Sequence, residues 1–575
     1  MEIPKRLKVG VVQLAQVPTP EEGQAKFARF MREAKSRGCR VVVFQEGALH
    51  CPADASRARI DAAVQAIRQA AAESGIYVVA GTLNKLTDED PLYNRLYVIA
   101  PSGAIIHSYD KLWGDPRFPD VPGTFMIDGV PCCAIICADR WIRGVEELPV
   151  FAGAKIIFEC SNNYDNEWIP DLGWYWYVPR ALRNGAYVVF CNGPRDRLTH
   201  LDPWPGHGHS AVIAPDGAML AAAGDENDRL LVAELDLARV TRAEAERRHS
   251  HPLFRRFWDT GVQIMHGAVV EAPPFAPLAS SEVPIALAAA QMACARSVED
   301  NLARMRQMLQ EARARGAQVV AFPALAITGA RDDDICAARP EALAGALREV
   351  QAMALALRLY VAFGMPHVHP DGRRTNAAFV VGPDGALLTR YDQLVVDRPD
   401  LFSPGLSSKV MWFDVLGVPA VVTVGRDALW SELAELAAVR GAQVHLHLSY
   451  DQDTRPQATL LRRQLWANLA SFRTFTATVN AASPGAGPWA SASACGGSIL
   501  WEDLHRAHTG LAGGYVPHSA VRLAEAGAGQ QLLCATQRMR SINRQFAAMT
   551  ERTNPQMKAW YVAGAQAICT EVMET

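Results

Sequence analysis

Three residues in the first half of the chain have side chains that could together perform acyl-group chemistry. Glu46 ends the apolar run VVVFQE, Lys111 lies in SYDKLW, and Cys137 ends the apolar run that leads into ADRW. A carboxylate can take the proton of a thiol, a neighbouring cation favours the nucleophilic thiolate, and an ammonium can stabilise an oxyanion. Taken singly, each is more often an exposed strand-end glutamate, a solvated lysine or a buried structural cysteine. The combination therefore carries the hypothesis.

The second half of the chain repeats the same segments without these side chains. Ala324 stands in VVAFPA, Gln393 in RYDQLV and Gly425 in VTVGRDALW, where the first half has the carboxylate, the amine and the thiol. None of the three can act as a base, a cation or a nucleophile. We therefore predict that the second half keeps the fold of the first and is catalytically silent.

Hydrophobic periodicity indicates strands alternating with helices in both halves, which is typical of an α/β fold. The spacing of apolar residues predicts amphipathic helices over Glu21–Arg37 and Ile60–Ser74, and Gln537–Thr575 is also predicted to be helical. A long period repeated once indicates duplicated domains rather than a solenoid. We predict one domain over 1–270, a linker rich in proline and alanine over 271–284, and a second domain over 285–575.

Length and composition limit the classes to which the chain can belong. A chain of 575 residues is too long for a single core. A net charge of −3 offers no basic field for nucleic acid. No apolar run approaches the roughly 20 residues of a membrane span, and the first residues do not resemble a signal peptide. We expect a cytoplasmic protein with neither a nucleic-acid nor a membrane partner.

The segments FQE, YDKLW and ICADRW, in this order and on this background, resemble the carbon–nitrogen hydrolase family, the nitrilase-like enzymes. The resemblance extends over both halves. It implies a four-layer α-β-β-α sandwich in each half and an internal pseudo-dimer, and it leaves further homo-oligomerisation open. It implies that Glu46 is the general base, Lys111 the cation and Cys137 the nucleophile, while the backbone N–H of Ala138 helps to bind the oxyanion. It implies neither a metal nor an organic cofactor.

One departure from the family pattern concerns a second glutamate. Members of the family commonly carry it between the lysine and the Pro-Gly that precedes the next strand. The corresponding stretch here, GDPRFPDVPG, has no glutamate, so Asp115 or Asp120 is the candidate substitute. The shorter side chain would hold its carboxylate about one methylene further back, in a site where productive geometry is held within roughly 0.5 Å.

The aromatic stretch Ser161–Asn184 corresponds to the segment that lines the substrate pocket in the family. We predict substrate contacts from a group of polar and aromatic side chains, namely Asn162, Tyr164, Trp168 and Trp174. The alternative, to which we give equal weight, is that these aromatic rings pack against the partner domain.

The residues that follow the thiol, Ala138-Asp139-Arg140-Trp141, resemble the amidase and carbamoylase branches more than the nitrilases, which usually have Trp-Glu there. The predicted function is therefore hydrolysis of a non-peptide C–N bond in a small amide or N-carbamoyl compound through a cysteine thioester, with release of ammonia or an amine. The alternatives are nitrile hydrolysis by the same three residues, acyl transfer to an amine, and a non-enzymatic binding or assembly role. The expected partner is thus a small amide, ureido or nitrile compound.

Overall fold

A computed structural model describes residues 4–117, 119–121, 123–142, 144–196, 206–271, 274, 278–471, 474–483, 495–502, 522–539 and 554–570. The chain forms two compact units. The first comprises Met1–Ala272 with Thr550–Trp560, and the second comprises Pro273–Met549 with Tyr561–Thr575. The limits 1–270, 271–284 and 285–575 stay a prediction.

The first sheet of the first unit has the strand order β12-β1-β2-β3-β4-β5 within the described residues. Its strands are β1 (Arg6–Gln13), β2 (Val41–Leu49), β3 (Tyr77–Asn84), β4 (Tyr93–Ile99), β5 (Ile105–Asp110) and β12 (Arg229–Asp236). Strands β1, β2 and β3 are parallel, and the others are antiparallel to their neighbours. Two of the three reactive residues are positioned by this sheet. Lys111 directly follows β5, whereas Glu46 lies within β2, which continues to Leu49 and does not end at the glutamate as the sequence predicts.

Two helices cover this sheet, α1 (Pro20–Ser36) and α2 (Arg57–Ser74). The predictions over Glu21–Arg37 and Ile60–Ser74 are confirmed, although α2 begins three residues before its predicted start. The capping residues Thr19 and Ser56 accept hydrogen bonds from the first turn of each helix, which satisfies backbone N–H groups that lack a helical partner. The apolar faces of both helices join the strand side chains in one core.

The second sheet of the first unit has the order β11-β10-β9-β8-β7-β6 within the described residues. Its strands are β6 (Phe125–Ile127), β7 (Val130–Ile136), β8 (Ile156–Ser161), β9 (Tyr187–Asn192), β10 (Ala211–Ile213) and β11 (Met219–Ala222). The helices on this side are α3 (Gly144–Phe151), α4 (Val178–Asn184), α5 (Ala243–Ser250) and α6 (Pro252–Met265). The thiol of Cys191 on β9 donates to the carbonyl of Val12 on β1 at 3.2 Å, so the two sheets pack face to face.

The second unit repeats this architecture with the strand orders β17-β16-β15-β14-β13-β24 and β18-β19-β20-β21-β22-β23 in its described part. The strands of its first sheet are β13 (Pro284–Gln291), β14 (Val319–Ala321), β15 (Tyr360–Val368), β16 (Arg374–Val381), β17 (Leu387–Asp392) and β24 (Gln531–Arg538). Those of the second are β18 (Trp412–Val415), β19 (Val418–Val424), β20 (Val444–Leu448), β21 (Phe475–Val479), β22 (Ile499–Trp501) and β23 (Arg522–Glu525). The predicted α/β class, with two similar domains in tandem, is confirmed.

The helices of the second half of the chain are α7 (Val298–Ala314), α8 (Asp332–Ala337), α9 (Pro340–Leu357), α10 (Ser431–Arg440), α11 (Pro456–Ala470) and α12 (Pro555–Thr570). The prediction of a helix over Gln537–Thr575 is right for α12 and wrong for Gln537 and Arg538, which end β24. Residues 540–553 and 571–575 lie outside the described residues.

The same side-chain contacts recur in both units, which shows that the fold of the second half is preserved in detail. In the first unit, the backbone N–H of Ser210 donates to the side-chain oxygen of Gln13 at 3.1 Å. In the second, the N–H of Ser498 donates to Gln291 at 2.8 Å. Each hydrogen bond links the two sheets of its own unit. All four residues are fully buried, so these polar groups depend on each other for their hydrogen bonds.

No helix in the part of the chain that the structure describes has both the length and the apolar content needed to cross a membrane.

Candidate active site

Glu46 lies where the backbone of β2 leaves its regular pairing with β3. The register between the two strands shifts between Phe44 and Leu49. A Cβ atom added to Gly81 on β3 would lie 2.2 Å from the carbonyl oxygen of Gln45 and 2.8 Å from the Cα of Glu46. Only glycine permits so close an approach of two backbones. The irregular strand turns the Glu46 side chain into a protected position, where 8% of it is exposed.

Lys111 directly follows β5 and forms an ion pair with Glu46. Its backbone N–H donates to the carbonyl of Asn94 at 3.0 Å, and its Nζ lies 2.6 Å from Glu46 Oε1. Burial alone lowers the pKa of Lys111, but the carboxylates of Glu46 and Asp139 outweigh burial and raise the pKa above its ordinary value. The lysine is therefore an ammonium under all ordinary conditions.

Cys137 is the first residue of a 3-10 turn, Cys137–Trp141, that follows β7. Its φ of 48° is in the left-handed region, which costs a residue with a side chain about 1–2 kcal/mol. Such a conformation persists only where surrounding contacts hold it. The turn therefore needs contacts that hold its backbone in place.

Asp139 makes such contacts, and it also fixes the segment that carries the lysine. Its carboxylate accepts hydrogen bonds from the Tyr109 hydroxyl at 2.6 Å and from the backbone N–H groups of Trp113 at 2.7 Å and Ile136 at 3.3 Å. Burial raises the pKa of Asp139 to about 6, although Lys111 and these donors act in the opposite direction. Asp139 is thus mostly ionised at neutral pH and connects the thiol turn to the lysine segment.

The thiol of Cys137 is a hydrogen-bond donor in this arrangement. Its Sγ lies 3.3 Å from Asn163 Oδ1 and 3.7 Å from Arg140 Nη1. The amide nitrogen of Asn163 donates to the Tyr177 hydroxyl at 2.7 Å, which leaves the amide oxygen facing the thiol. Arg140 also donates to this oxygen, at 2.8 Å. The oxygen can only accept, so the sulfur that contacts it carries its proton.

The electrostatics of the site agree with a protonated thiol. Burial and the carboxylate of Glu46 raise the pKa of Cys137 to about 12, while Lys111 and Arg140 lower it by less. The sequence predicts that a neighbouring cation favours the thiolate. The structure shows that burial and a nearby negative charge dominate instead, so the nucleophile must be generated by a base.

Asn163 and Tyr177 lie in the segment that the sequence predicts to line the substrate pocket, but the sequence does not predict that Asn163 and Arg140 contact the thiol. The guanidinium of Arg140 is 1% exposed and binds Glu167, with Glu159 at 3.6 Å. Further buried ion pairs extend from Glu159 into the helices that cover the second sheet. They are Arg180–Glu159, Arg180–Glu146, Arg183–Glu147 and Arg248–Glu147. The sequence contains one signal for these buried ion pairs, namely charged residues within otherwise apolar helices. Such residues are rarely buried unless they are paired.

The residues predicted to contact substrate have contacts within the first unit. Trp168 stacks on His209 with ring centroids 3.7 Å apart, and the indole N–H of Trp174 donates to the His209 carbonyl at 2.8 Å. Asn162 and Tyr164 are half-buried in the segment that follows β8. Substrate contact by these four residues stays a prediction. Ala138 follows Cys137 within the turn, and its oxyanion role is likewise a prediction.

Asp115, one candidate for the missing second carboxylate, is bound by an arginine. Its carboxylate accepts from the backbone N–H and from Nε of Arg117, both at 2.9 Å. Burial alone raises the pKa of Asp115, but the hydrogen bonds from Arg117 outweigh burial and lower the pKa. Asp120 is exposed. Replacement of the second glutamate by either aspartate stays a prediction.

A cavity of about 390 Å³ lies beside Lys111 in the first unit. Residues of the segments 86–94 and 111–117 form its walls. Because Lys111 lines it, a molecule bound in this cavity would reach the ammonium that pairs with Glu46.

The corresponding positions of the second unit hold a different set of contacts. The Gln393 side chain accepts from Asn376 and donates to the carbonyl of Val395, both at 2.9 Å. A Cβ atom added to Gly425 would lie 2.9 Å from Gln393 Nε2. At Ala324 the backbone still approaches a glycine of the next strand, Gly364, as Glu46 approaches Gly81. The predicted catalytic silence of this unit rests on these three residues.

Groups of three or more His, Cys, Asp or Glu side chains suited to hold a metal ion do not occur among the described residues.

The model of the carbon–nitrogen hydrolase family matches the chain twice, over residues 8–245 and 286–486. These segments cover more than half of the chain. The protein belongs to the carbon–nitrogen hydrolase family, in two tandem copies, and is an enzyme of this class.

Similar proteins match a length close to one unit. Omega-amidase NIT2-A of Xenopus laevis is 27% identical over 273 residues, which are 44% of this chain and 95% of that protein. Omega-amidase NIT2 of Homo sapiens is 25% identical over 277 residues, or 43% of this chain and 94% of that protein. A nitrilase of Pyrococcus abyssi is 28% identical over 256 residues, or 40% and 90%.

Among solved structures, a cysteine-to-alanine mutant of the Nesterenkonia AN1 amidase from the nitrilase superfamily is similar. It shares 21% identity, covers 49% of this chain and 98% of its own, and aligns with a TM-score of 0.38.

Proposed function

We propose that the first unit hydrolyses the C–N bond of a small amide through a thioester on Cys137. One observation carries the proposal: the ion pair of Lys111 and Glu46, 2.6 Å apart, is close enough to Cys137 for both charges to act on the thiol. We propose amides as the substrate class, ahead of other C–N compounds, because several similar proteins are named omega-amidases.

In the first half of the reaction, Glu46 takes the proton of the Cys137 thiol, and the sulfur attacks the carbonyl carbon. The C=O π electrons move to oxygen, where the Lys111 ammonium and the N–H of Ala138 stabilise the negative charge. When the intermediate collapses, the C–N bond breaks and protonated Glu46 gives its proton to the leaving nitrogen. Ammonia or an amine departs, and a thioester remains on Cys137.

In the second half, Glu46 takes a proton from water and the resulting hydroxide attacks the thioester carbonyl. The C–S bond breaks, the carboxylic acid is released, and the proton on Glu46 returns to the sulfur. One water is consumed and one acid is formed for each ammonia or amine released. This chemistry uses the same base twice, as general acid–base catalysis allows.

The resting hydrogen bond between Cys137 and Asn163 adds one step to this sequence. The thiol donates to Asn163 Oδ1, with Sγ and Oδ1 3.3 Å apart, whereas proton transfer requires the S–H to face Glu46. Rotation of the thiol away from Asn163 therefore precedes proton transfer. A neutral resting thiol is also protected from oxidation, because the thiolate is the reactive form.

A nitrile is the second candidate substrate, and the similarity to the Pyrococcus abyssi nitrilase favours it. The same thiol can attack a nitrile carbon, but the acid would then form with consumption of two waters. N-carbamoyl compounds and acyl transfer to an amine remain within reach of the same thioester chemistry. The second unit, without base, cation or thiol, is proposed to take no part in it.

Ammonia release and mass spectrometry test the proposal on the full-length chain. Small amides, N-carbamoyl compounds and nitriles are incubated with the wild type, with Cys137→Ala, and with Cys336→Ala as a control at an exposed cysteine. We expect turnover of amides, acylation of the Cys137 peptide after acid quenching, and loss of both only in Cys137→Ala. Equal turnover by Cys137→Ala, or acylation elsewhere, would refute the mechanism. Hydroxylamine added as a competing nucleophile would reveal acyl transfer as a hydroxamate.

A further inference from the structure

The cavity beside Lys111 has mainly apolar and aromatic walls. Leu92, Tyr93, Trp113 and Pro116 contribute to its lining. The Trp113 ring is held edge-on against Trp141, with the ring centroids 5.2 Å apart. A volume of about 390 Å³ is within the range of small-molecule pockets and can hold an acyl group of the size of a phenylpropanoyl chain.

Among the described residues, Arg117 is the one cation besides Lys111 that lines this cavity, and acidic groups neutralise its charge. Nε of Arg117 lies 2.9 and 3.1 Å from the two carboxylate oxygens of Asp115, and its Nη2 lies 3.3 Å from Asp110. The guanidinium also covers the Tyr93 ring, 3.7 Å from the centroid. Asp110 is in turn bound by Arg95 at 2.5 Å. Two arginines and two aspartates form a neutral group.

The remaining charges at the cavity do not favour an anion either. Lys111 is paired with Glu46, and Asp90 accepts hydrogen bonds from the backbone and hydroxyl of Thr87 at 2.9 and 2.8 Å. Asp90 contributes a negative charge at the wall without a cationic partner among the lining residues. A substrate that carries a carboxylate at the far end of its acyl chain would lose hydration there and would meet no unneutralised cation among the described lining residues, which is unfavourable.

We propose that this cavity binds the acyl portion of the substrate and selects an uncharged, preferably flat acyl group over one that ends in a carboxylate, with the Asp115–Arg117 pair as the specificity determinant. This inference rests on the proposed function and deepens it. The amide lies toward Lys111, and the apolar acyl chain extends along Trp113 and Tyr93. Aromatic faces at such walls favour planar groups.

Two amides that differ only at the far end of the chain test the selection. Hexanamide and the monoamide of adipic acid have the same four methylenes and end in a methyl group and a carboxylate, respectively, and 3-phenylpropanamide tests the preference for a flat group. We expect kcat/KM of the full-length protein to be at least about tenfold higher for hexanamide than for the adipic monoamide. We expect 3-phenylpropanamide to be hydrolysed at least as well as hexanamide.

Two opposite substitutions test the role of the ion pair. The measured quantity is kcat/KM for hexanamide divided by kcat/KM for the adipic monoamide. Asp115→Asn removes a negative charge beside Arg117 and should lower this ratio, whereas Arg117→Gln removes the positive charge and should raise it. Asp216→Asn is the control, because it also removes the carboxylate partner of an arginine, Arg239, but does not line the cavity. Its ratio should equal that of the wild type. Because the readout is a ratio, it does not depend on the fraction of active protein.

The outcomes separate this inference from the proposed function. Hydrolysis of the adipic monoamide as fast as hexanamide, or an unchanged ratio in both ion-pair variants, would overturn the inference and leave the amidase proposal intact. Hydrolysis of no amide at all by the wild type would overturn the proposed function together with this inference.

Discussion

Cys137 and Gly425 have the same left-handed backbone conformation, with φ angles of 48° and 54°. Each begins a 3-10 turn after a parallel strand, and each turn has an aspartate two residues further on. The conformation strains a cysteine and costs a glycine nothing. The second unit has therefore kept the backbone of the turn while losing both the thiol and the strain that the thiol requires.

A thiol placed in the second unit should not restore activity. We predict that Cys137→Ala lowers the rate of ammonia release by at least about 10³-fold. The double variant Cys137→Ala/Gly425→Cys should release ammonia at the same low rate. The new side chain would meet Gln393 at 2.9 Å, and position 324 offers no base.

Ammonia release at saturating amide measures this, with Gly417→Cys in the Cys137→Ala background as the matched control. Gly417 also has a positive φ, and a Cβ there meets no atom within 4 Å. Activity above that control would show that position 425 can still act as a nucleophile and that the second unit is not silent.

The ion pair of Glu46 and Lys111 should contribute to stability as well as to chemistry. The two side chains are 8% and 18% exposed, so removing one partner leaves a largely buried charge unpaired. We predict that Glu46→Gln and Lys111→Met each lower the free energy of unfolding by about 3–5 kcal/mol. The double variant should lose less than the sum, because no unpaired charge remains.

Urea unfolding followed by tryptophan fluorescence gives the three values, and ammonia release gives the activity of each variant. All three variants should be inactive. A double variant that is more stable than the sum of the single losses predicts, yet still inactive, would separate the role of the ion pair in stability from its role in catalysis. Additive losses of stability would contradict a direct coupling between these side chains.

The three reactive residues could be predicted because each lies in a short segment of adjacent residues. No knowledge of the fold is needed to recognise the segments FQE, YDKLW and ICADRW in the sequence. The partners of the thiol could not be predicted in this way. Asn163 reaches Cys137, and Tyr177 reaches Asn163, only after β8 and α4 are packed beside β7. No local pattern in the sequence indicates which polar atoms then meet.

The strand pattern predicted the α/β class for a similar reason, since parallel buried strands are continuous apolar runs. It failed at Gln537 and Arg538, whose neighbours have a composition compatible with a helix. These residues pair with Ile285 and Pro284 on β13, more than two hundred positions earlier in the chain. Such long-range pairing overrides local propensity.

The rate of Cys137 alkylation should rise with pH across the neutral range. Burial and Glu46 raise the pKa of this thiol to about 12, so the thiolate fraction is small and increases tenfold with each pH unit below that value. We predict that the rate constant for iodoacetamide, which is uncharged, increases about tenfold per unit between pH 7 and pH 10.

Peptide mass spectrometry after timed quenching measures the rate at Cys137 separately from the other cysteines. The same sample gives the rate at the exposed Cys336 as an internal reference. A rate at Cys137 that is already constant at pH 7 would mean that the resting sulfur is a thiolate, in contradiction to its hydrogen bond to Asn163.

Asp139 and Asp427 offer a matched pair that separates positioning from stability. Asp427 repeats the contacts of Asp139: it accepts from the Tyr391 hydroxyl at 2.8 Å and from the backbone N–H groups of Val395 at 2.8 Å and Val424 at 3.1 Å. Replacing either aspartate by asparagine removes an acceptor oxygen from a buried group of donors. We predict a loss of about 1–3 kcal/mol in the free energy of unfolding for each variant.

Only Asp139→Asn should also lower kcat, because only Asp139 fixes the turn of a reactive thiol and the segment of a reactive lysine. Parallel measurements of kcat, KM and urea unfolding on both variants test this. A shift of either residue by about 0.5 Å is enough to reduce the rate, so the loss in kcat should exceed any change in KM. If Asp427→Asn lowered kcat as much as Asp139→Asn, general destabilisation would explain both effects, and Asp139 would have no positioning role.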